Sequence, residues 1–262
     1  MGGTNGTPSG DRPTLPFSPD LFAGRTVVIT GAGHGIGRAA ALAFHAAGAR
    51  LIAHLGRDQT TAAGLPEDIG TTVGDFTDSA AQGAFVEFVR ARAPRVDALI
   101  NNAGTMFGRF PAGILSDDDY ARIVELNQHA VVRITRGLLP ALEASGDAAI
   151  VNTVSISAAT GGSPGSSIYS ATKAFVATYT RGLARELAPA GIRANAVSPG
   201  VIDTDFHARY SSAEKLEATR RQIPLQRLGT AADCAPTFLF LASGALSGYI
   251  TGQVIGINGG QR

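Results

Sequence analysis

The stretch "RTVVITGAGHGIGRAAALAFHAAG", residues 25–48, joins a short β-branched run to a glycine-rich turn and then to an apolar segment of helical character. Gly31, Gly35 and Gly37 permit a tight turn, a close approach of the backbone to a pyrophosphate, and close packing of helix on strand. The helix that follows offers free N–H groups and the positive end of its dipole to phosphates. The stretch therefore predicts a dinucleotide-binding unit, with a purely structural glycine turn as the alternative.

The same alternation of apolar runs and helical segments continues along the chain. Seven runs have the apolar, β-branched character of buried strands: "RTVVIT", "ARLIAHL", "TTVGDF", "VDALINN", "AAIVNTVS", "IRANAVS" and "QVIGIN". Segments with apolar residues at helical spacing lie near 35–47, 78–92, 117–143, 168–189 and 230–242. We therefore expect an α/β fold: a single doubly wound Rossmann domain with a parallel sheet of about seven strands and helices on both faces.

Bulk composition argues against several classes of function. A net charge of +1, with 16% charged residues and no basic run, gives no footprint for nucleic acid or an anionic membrane. The single cysteine, Cys234, excludes an internal disulfide framework, and no Cys/His group has zinc-ligand spacing, so no metal is expected. No apolar stretch approaches the roughly 18 to 20 residues that span a bilayer, and no secretory signal is visible. We expect a cytoplasmic protein.

Composition changes once along the chain, near its start. Residues 1–20 are rich in Gly, Pro, Ser and Thr and present no periodic apolar face, which predicts a flexible leader. Leu15 and Phe17 are the leader residues that could dock on the folded part. Residues 21–262 show no internal repeat and are expected to form one domain.

The stretch "IYSATKAF", residues 168–175, places Tyr169 and Lys173 one helical turn apart on the same face. Lysine occurs only at 173 and 215, whereas arginine supplies the other 20 of the 22 basic residues. A lysine is a compact point charge that can sit beside a reactive group, and a cation nearby lowers a tyrosine pKa from about 10 by roughly 1–3 units. The pair is thus a candidate for proton transfer, with two unrelated polar residues as the alternative.

Several motifs together resemble the short-chain dehydrogenase/reductase family over residues 21–262. They are "TGAGHGIG" at 30–37, "NNAG" at 101–104, Asn127 in "ELNQHA", Ser155 in "IVNTVS", "YSATK" at 169–173 and "SPG" at 198–200. The tail, "PLQRLGTAADCAPTFLFLAS" followed by "YITGQVIGINGG", resembles the 3-oxoacyl-carrier-protein reductase and polyol dehydrogenase branch. The resemblance implies a catalytic Rossmann domain.

By this resemblance, Tyr169 donates the proton in carbonyl reduction and accepts it in alcohol oxidation, and Lys173 bonds the nicotinamide ribose. Ser155 is the second donor to the carbonyl oxygen, and Asn127 holds a water that links Lys173 to solvent. Tyr169 lies one position further from Ser155 than is usual in the family, so Ser157 is a rival for the catalytic serine. Strand alternation would put both serines on one face, so we prefer Ser155 for its place after Val151 and Asn152.

The resemblance also implies a cofactor surface. The predicted cofactor-binding residues are Gly31, His34, Gly35, Ile36, Gly37, Arg57, Asp75, Phe76, Asn102, Ala103, Gly104, Tyr169, Lys173, Pro199, Gly200, Ile202 and Thr204. The predicted substrate contacts are Ser155, Ser157, Tyr169 and Phe206. Asp75 would accept from the adenine amino group, with an ordinary turn aspartate as the alternative. Asn101 would mainly tie neighbouring strands together.

The choice between NADP(H) and NAD(H) depends on the end of the second strand. An enzyme that uses NAD usually has an acidic residue there for the ribose hydroxyls, but position 55 is leucine. Arg57 could bind a 2′-phosphate through charge-assisted hydrogen bonds, which favours NADP(H). NAD(H) stays possible because position 34 is His rather than Arg, and because Asp58 could pair with Arg57 or contact the ribose.

The expected function is an NAD(P)(H)-dependent oxidoreductase that interconverts a ketone and a secondary alcohol. A 3-oxoacyl thioester reductase using NADPH is preferred, a sugar or polyol dehydrogenase is the alternative, and a non-catalytic dinucleotide-binding regulator is a remote third. Residues 204–224 are expected to form a substrate lid, whose Arg209, Arg220 and Arg221 suit either an anionic substrate or plain solvation. Small residues on 168–189 are compatible with a homotetramer or dimer, and equally with packing inside the monomer.

Overall fold

A computed structural model describes residues 17–261, apart from the side chains of His207, Ala208 and Ala213. Its strands are β1 (Thr26–Ile29), β2 (Arg50–His54), β3 (Gly70–Thr72), β4 (Ala98–Asn101), β5 (Ala148–Thr153), β6 (Ile192–Pro199), β7 (Ile202–Asp203), β8 (Gly229–Thr230) and β9 (Val254–Ile257). Its α-helices are α1 (Gly35–Ala46), α2 (Ser79–Arg90), α3 (Asp117–Val124), α4 (Ala130–Glu143), α5 (Ser157–Thr160), α6 (Ser167–Leu187), α7 (Asp205–Tyr210), α8 (Ala213–Gln222), α9 (Ala231–Ala242) and α10 (Gly244–Ser247). Short 3₁₀ turns cover Gln59–Ala62 and Ala188–Ala190, and a π turn covers Glu125–His129.

The described strands form a seven-stranded sheet in the order β3-β2-β1-β4-β5-β6-β9, together with a two-stranded pair of β7 and β8. Every pairing in the large sheet is parallel, and β1 lies between β2 and β4, with Val27 opposite Leu51 on one side and Ala98 on the other. The strand order reverses between β1 and β4. Ligands of doubly wound sheets bind outside the carboxyl ends of the strands at such a reversal.

Helices cover both faces because successive strand residues point to opposite sides of the sheet. Val27 and Ile29 of β1 pack with Phe44 of α1 and Phe238 of α9 in one buried cluster. Val28, between them in the chain, packs with Leu138 of α4 in the cluster on the other face. The predicted α/β architecture with about seven parallel strands is confirmed.

Two local expectations differ from the structure. The third strand, predicted at 71–76, ends at Thr72, and Val73 is exposed because β3 is an edge strand paired only with β2. The helix predicted over 117–143 is interrupted by the π turn Glu125–His129. The segment expected to form a lid, residues 204–224, contains the two helices α7 and α8.

Most of the predicted leader, including Leu15, lies outside the described residues. Phe17 packs, partly buried, against the cluster that contains Phe44. Within residues 17–261, no helix is both long and apolar enough to cross a membrane. In the same part of the chain, no three His, Cys, Asp or Glu side chains are grouped as a metal site would require.

Candidate active site

Three glycines of the glycine-rich stretch between β1 and α1, Gly31, Gly35 and Gly37, have different roles. Gly31 has a φ of +70°, which favours glycine, and a Cβ on it would lie 2.8 Å from the Cα of Ala103. A Cβ on Gly37 would lie 2.2 Å from the carbonyl oxygen of Gly31, so Gly37 is needed for packing. Gly35, with a φ of +50°, has only the methyl group of Thr204 near the place of its Cβ, at 3.3 Å. The turn is therefore tightly packed behind and open in front, as a phosphate cradle requires.

Helix α1 begins at Gly35, and His34 precedes it without making a side-chain hydrogen bond to the first turn. The first N–H groups of a helix have no partner within the helix. Those of α1 therefore remain available to an anion at the cavity, where the helix dipole adds positive potential.

The "NNAG" segment is tied to the glycine turn by hydrogen bonds. Thr30 Oγ1 accepts from the backbone N–H groups of Asn102 and Ala103, both at 3.0 Å. Asn102 Nδ2 donates to the carbonyl oxygens of Thr30 and Gly31 at 3.2 and 3.1 Å. These hydrogen bonds hold the carboxyl ends of β1 and β4 side by side, so that they form one continuous surface.

Asn101 lies on the other side of the same segment and is buried. Its Nδ2 donates to Thr135 Oγ1 at 3.0 Å and to Asn152 Oδ1 at 2.9 Å, and Asn152 Nδ2 donates to Thr180 Oγ1 at 2.9 Å. This chain of polar groups links β4 and β5 to α4 and α6. The interpretation of Asn101 as a residue that ties strands together is confirmed.

His54 lines the cavity although it belongs to none of the motifs in the sequence. It lies at the end of β2, is 2% exposed, and stacks on Phe76 with ring centroids 3.7 Å apart. Its Nδ1 accepts from the N–H of Gly31 at 3.4 Å, so Nε2 carries the proton that it donates to the carbonyl oxygen of Gly74 at 2.9 Å. Burial lowers the pKa of His54 to about 4, which favours this neutral form. The ring thereby connects the glycine turn to the loop after β3.

Arg57 and Asp75 lie together at the far end of the cavity. Arg57 NH1 is 3.6 Å from Asp75 Oδ2, and the arginine side chain is 70% exposed. Asp75 Oδ1 accepts from the N–H and hydroxyl of Thr77 at 2.9 and 2.8 Å, which makes it a turn aspartate, the alternative considered for it. Asp58, considered as a partner for Arg57, instead accepts from the N–H and hydroxyl of Thr60.

Ser155 and Tyr169 both line the inner side of the cavity, where the Ser155 side chain is close enough to favour the phenolate form of Tyr169. Ser157 Oγ donates to Ser155 Oγ at 3.0 Å, and the Ser157 N–H does so at 3.2 Å. The expectation that Ser155 and Ser157 lie on one face of a strand was wrong, because β5 ends at Thr153 and Ser157 begins α5. Ser157 therefore lies behind Ser155 and supports it, while Ser155 faces the phenol.

Lys173 is 3% exposed and follows Tyr169 by one turn of α6. Its Nζ donates to the carbonyl oxygen of Thr153 at 2.9 Å and lies 5.7 Å from the centre of the Tyr169 ring. Burial lowers the pKa of Lys173 to about 8. Burial also raises the pKa of Tyr169 to about 12, opposed by the hydrogen bond from Ser155 and aided by Tyr210. The expected lowering of the tyrosine pKa by Lys173 is therefore not found here, because desolvation of the phenolate is the largest influence on this pKa.

Asn127 occupies the π turn between α3 and α4 and is fully buried. Its Nδ2 donates to the carbonyl oxygens of Thr105 at 2.7 Å and Ile123 at 2.8 Å, and the second bond serves a helix backbone that the π turn disrupts. Its Oδ1 has no partner among the described residues. A Cβ on Gly104 would lie 2.7 Å from this oxygen and 2.9 Å from Lys173 Nζ, so the two groups flank the same glycine.

One cavity of about 800 Å³ brings most of the predicted residues together. Its lining includes all the predicted cofactor and substrate residues except Gly37, and it excludes Asn127. Gly37 lies behind the glycine turn, and Asn127 lies behind Gly104. Both would therefore affect a bound molecule only through the lining residues in front of them. Lining residues that were not singled out from the sequence include His54, Thr105, Arg109, Tyr210 and Lys215. Of these, Tyr210 and Lys215 lie in the segment 204–224 that was expected to form a lid.

The lid closes the end of the cavity next to Tyr169. Phe206 of α7 lies 5.9 Å from the Tyr169 ring, and Tyr210 lies 5.0 Å from the Phe206 ring. The Tyr210 hydroxyl is hydrogen-bonded to Thr105 Oγ1 at 3.0 Å, and Arg109 Nε donates to the Tyr210 carbonyl oxygen at 2.9 Å. Phe206 therefore lies at the same end of the cavity as Tyr169.

Comparisons with known proteins agree with this geometry. The family model described as enoyl-(acyl carrier protein) reductase matches residues 31–262. An uncharacterized short-chain type dehydrogenase/reductase of Sinorhizobium fredii is 39% identical over 250 residues, covering 92% of this chain and 98% of that protein.

Solved structures are similar at the level of sequence as well as fold. A protein of Beutenbergia cavernae assigned as an NAD(P)-dependent gluconate 5-dehydrogenase, with NADP bound at low occupancy, superposes with a TM-score of 0.84 at 34% identity, covering 93% of this chain and 98% of that one. A 3-ketoacyl-(acyl-carrier-protein) reductase of Brucella melitensis complexed with NADH gives 0.83 at 32% identity, covering 91% and 98%. The chain belongs to the short-chain dehydrogenase/reductase family of oxidoreductases.

Proposed function

We propose that this chain reduces a ketone to a secondary alcohol with NADPH, with Tyr169 as the general acid. The observation that carries the proposal is that Ser155 and Tyr169 lie together in the cavity that the glycine turn also lines. It places two hydroxyl donors together, where one carbonyl oxygen could receive both. A 3-oxoacyl thioester reductase is the preferred form of this activity, and a sugar or polyol dehydrogenase is the alternative.

The residues of the glycine turn fit a dinucleotide. Gly35 presents backbone without a side chain to the cavity, and the first turn of α1 offers N–H groups beside it. Asp75 and Phe76 would lie at the adenine, Arg57 at a 2′-phosphate, and Lys173 at the nicotinamide ribose. Thr204 and its neighbours Pro199, Gly200 and Ile202 would lie along the nicotinamide. When bound, the reduced nicotinamide supplies the hydride.

Arg57 is the residue that favours NADPH. It is largely exposed, and its one ion pair in the described structure is the long contact with Asp75. An exposed ion pair of this kind is worth little, so Arg57 can turn to a phosphate at small cost. NADH stays a possible cofactor because a ribose hydroxyl could take the same place beside Asp75 and Asp58.

The proton chemistry follows from the buried phenol. Since the pKa of Tyr169 is about 12, the group stays protonated at neutral pH and is ready to donate to a developing alkoxide. Ser155 donates a hydrogen bond to the same oxygen, while Ser157 holds the serine hydroxyl in place.

Proton return to Tyr169 would use Lys173 and Asn127. The unpartnered Oδ1 of Asn127 and the Nζ of Lys173 flank Gly104, which lacks a side chain that would separate them. A water between these two groups would connect the lysine to solvent. A non-catalytic regulator would have no use for this arrangement, which argues against that alternative.

We also propose that the chain forms a homo-oligomer through α6. Ala177 and Ala184 are buried inside the monomer, which accounts for part of the small-residue pattern. Ala171 and Phe175 are exposed, and a Cβ on Gly182 would meet only Glu186 Oε1, at 4.0 Å. These three positions form a stripe at helical spacing that a second helix could cover. The mass of the purified protein in solution tests this directly.

The experiment that tests the function is a substrate screen run in parallel with NADPH and NADH. The panel contains 3-oxoacyl thioesters, an enoyl thioester, keto sugars and small ketones, and oxidation of the nicotinamide is followed by its ultraviolet absorbance. We expect ketone reduction with NADPH, and a loss of about 10²- to 10⁴-fold in Tyr169→Phe. Tyr249→Phe, at a fully exposed position outside the cavity, is the matched control. Normal turnover by Tyr169→Phe would overturn the proposal.

A further inference from the structure

Three cations surround the substrate end of the cavity: Arg109, Arg209 and Lys215, here named the basic mouth. They come from the loop after β4, from α7 and from α8, and all three line the cavity. Lys215 is one of only two lysines in the chain. The other, Lys173, already lies beside Tyr169.

Arg109 is anchored more firmly than a solvated surface arginine. It is half-buried, its Nε donates to the carbonyl oxygen of Tyr210 at 2.9 Å, and its NH1 donates to that of Pro164 at 3.3 Å. Neutral carbonyl groups satisfy some of its five N–H donors but leave its charge uncompensated. The anchoring fixes the guanidinium where α7 meets the loop before α6.

Lys215 lies close enough to Arg109 for the two charges to repel each other. Burial lowers the pKa of Lys215, and the positive charge of Arg109 lowers it further. Among the described residues, no carboxylate lies within 4.0 Å of a charged nitrogen of Arg109, Arg209 or Lys215. Asp205 is the acidic residue that lines this end of the cavity. Three positive charges therefore face one negative charge.

Two other arginines of the lid segment have their charge compensated by a carboxylate. Arg220 and Arg221 both pair with Glu217, with the Arg220 contacts at 2.7 Å and the Arg221 contact at 3.0 Å. Neither arginine lines the cavity. The cations of the lid are thus divided into paired ones outside and unpaired ones at the mouth.

The basic mouth connects to the reacting end through consecutive ring contacts. Tyr169 lies beside Phe206, Phe206 beside Tyr210, and Tyr210 is bonded through its carbonyl oxygen to Arg109. A substrate whose carbonyl oxygen lies at Tyr169 and Ser155 would run along Phe206 toward the mouth. The cavity therefore has an apolar middle section at Phe206 and a cationic end at the basic mouth.

We propose that the basic mouth binds an anionic group of the substrate, carboxylate or phosphate, while the ketone lies at Tyr169. This inference rests on the proposed function and narrows its substrate class. A neutral polyol or ketone would leave the three charges unpaired, whereas an anion completes their hydrogen bonds. The anion has two sources, the carboxylate of an oxo acid or the phosphates of a thioester of coenzyme A or of a carrier arm.

The test uses matched pairs of substrates with NADPH at saturation. One arm contains oxo acids with two to four carbons between ketone and carboxylate, each compared with its methyl ester. The other arm compares acetoacetyl-coenzyme A with the uncharged acetoacetyl thioester of N-acetylcysteamine. We expect kcat/KM for the charged member to exceed that of its neutral partner by about tenfold or more in one arm, and that arm identifies the source of the anion.

The variants are Arg109→Gln and Lys215→Gln, with Arg90→Gln on the far surface of α2 as the control. We expect each mouth variant to raise KM for the charged substrate about tenfold, with kcat within about twofold and the neutral partner unaffected. Added salt should raise the same KM in the wild type. Arg109 also holds Tyr210 in place, so an effect of Arg109→Gln on the neutral substrate would indicate that the lid has been displaced. In that case the comparison of charged and neutral substrates in Lys215→Gln decides whether the basic mouth binds an anion.

The two proposals fail in different ways. If no ketone in the panel is reduced with either cofactor, the proposed function falls, and this inference falls with it. If neutral and charged partners are reduced equally well, or if Lys215→Gln affects both alike, the inference alone is overturned and the reductase activity stands.

Discussion

Lys173 Nζ donates a hydrogen bond to the carbonyl oxygen of Thr153 at 2.9 Å. The bond joins the middle of α6 to the last residue of β5, so the lysine is held at the carboxyl edge of the sheet. Tyr169, one turn earlier, is thereby presented to Ser155, which follows the same strand. A strand end and a helix together position the three groups.

The first prediction concerns this lysine. Because the pKa of Lys173 is about 8, the amine is charged at neutral pH and loses its charge as the pH rises. We expect kcat/KM for ketone reduction to fall with pH above about 8. Lys173→Met should lower kcat/KM by about 10²-fold or more at pH 7 and should lack this alkaline decrease. A variant with the wild-type pH profile, and circular dichroism that shows an intact fold, would contradict the role of Lys173.

The second prediction separates the two serines. Ser155→Ala removes a donor aimed at the carbonyl oxygen and should lower kcat by about 10²- to 10³-fold. Ser157→Ala removes only a hydrogen bond to Ser155 Oγ and should cost about tenfold or less. Steady-state rates of both variants with the same ketone decide between them. Equal losses, or the larger loss in Ser157→Ala, would show that the role of Ser155 has been misassigned.

The third prediction concerns the cofactor. Arg57→Gln should raise KM for NADPH about tenfold, since a charge-assisted contact to the 2′-phosphate is lost, and should leave KM for NADH unchanged. Arg50→Gln, at the opposite end of β2, is the matched control and should change neither value. If Arg57→Gln affected both cofactors equally, Arg57 would not be the residue that distinguishes them.

The fourth prediction concerns Gly37. A methyl group there would lie 2.2 Å from the Gly31 carbonyl oxygen and 2.4 Å from Asn102 Nδ2. Gly37→Ala should therefore destabilise the protein by about 2 kcal/mol or more and impair cofactor binding. Gly83→Ala is the control, because that exposed position of α2 has no atom within 4 Å of the added methyl. It should stabilise the protein by about 0.5–1 kcal/mol, as measured by urea unfolding.

The fifth prediction concerns His54 and the pH dependence of stability. Its pKa is about 4 in the folded protein and 6.5 when unfolded, so between these values the unfolded chain binds more protons. The contribution of His54 is thus fully present above about pH 6.5 and is lost as the pH falls toward 4, by about 3 kcal/mol at most. His54→Gln should weaken this part of the pH dependence, whereas His45→Gln, at a partly buried position outside the cavity, should retain it. Urea unfolding at several pH values measures both.

Much of the fold could be predicted from the sequence because its signals are local. The run from Thr26 to Ile29 is apolar and β-branched, the glycines follow it at once, and the helical spacing of the next segment needs no distant partner. The spacing of Tyr169 and Lys173 is equally local, since one turn of a helix brings them to the same face. Chain order alone therefore indicated both the dinucleotide-binding unit and the proton-transfer pair.

Other features depend on contacts between residues far apart in the chain. Thr72 ends β3 because only β2 pairs with it, and the chain turns after Thr153, which places Ser157 behind Ser155. His54 links the glycine turn to the loop after β3 only because its two ring nitrogens are hydrogen-bonded to Gly31 and Gly74. No sequence pattern reveals contacts between residues that are far apart in the chain, so the predictions at these positions were incomplete or wrong.

The sequence by itself determined the order of strands and helices, the glycine turn and the candidate site residues, because periodicity and short motifs act within a few residues. Only the tertiary structure decided the partners. Arg57 pairs with Asp75 rather than Asp58, burial raises rather than lowers the pKa of Tyr169, and Arg109 reaches Tyr210 across 101 positions of sequence. Electrostatic and solvation energies depend on distance and burial in space, and the folded chain alone establishes these.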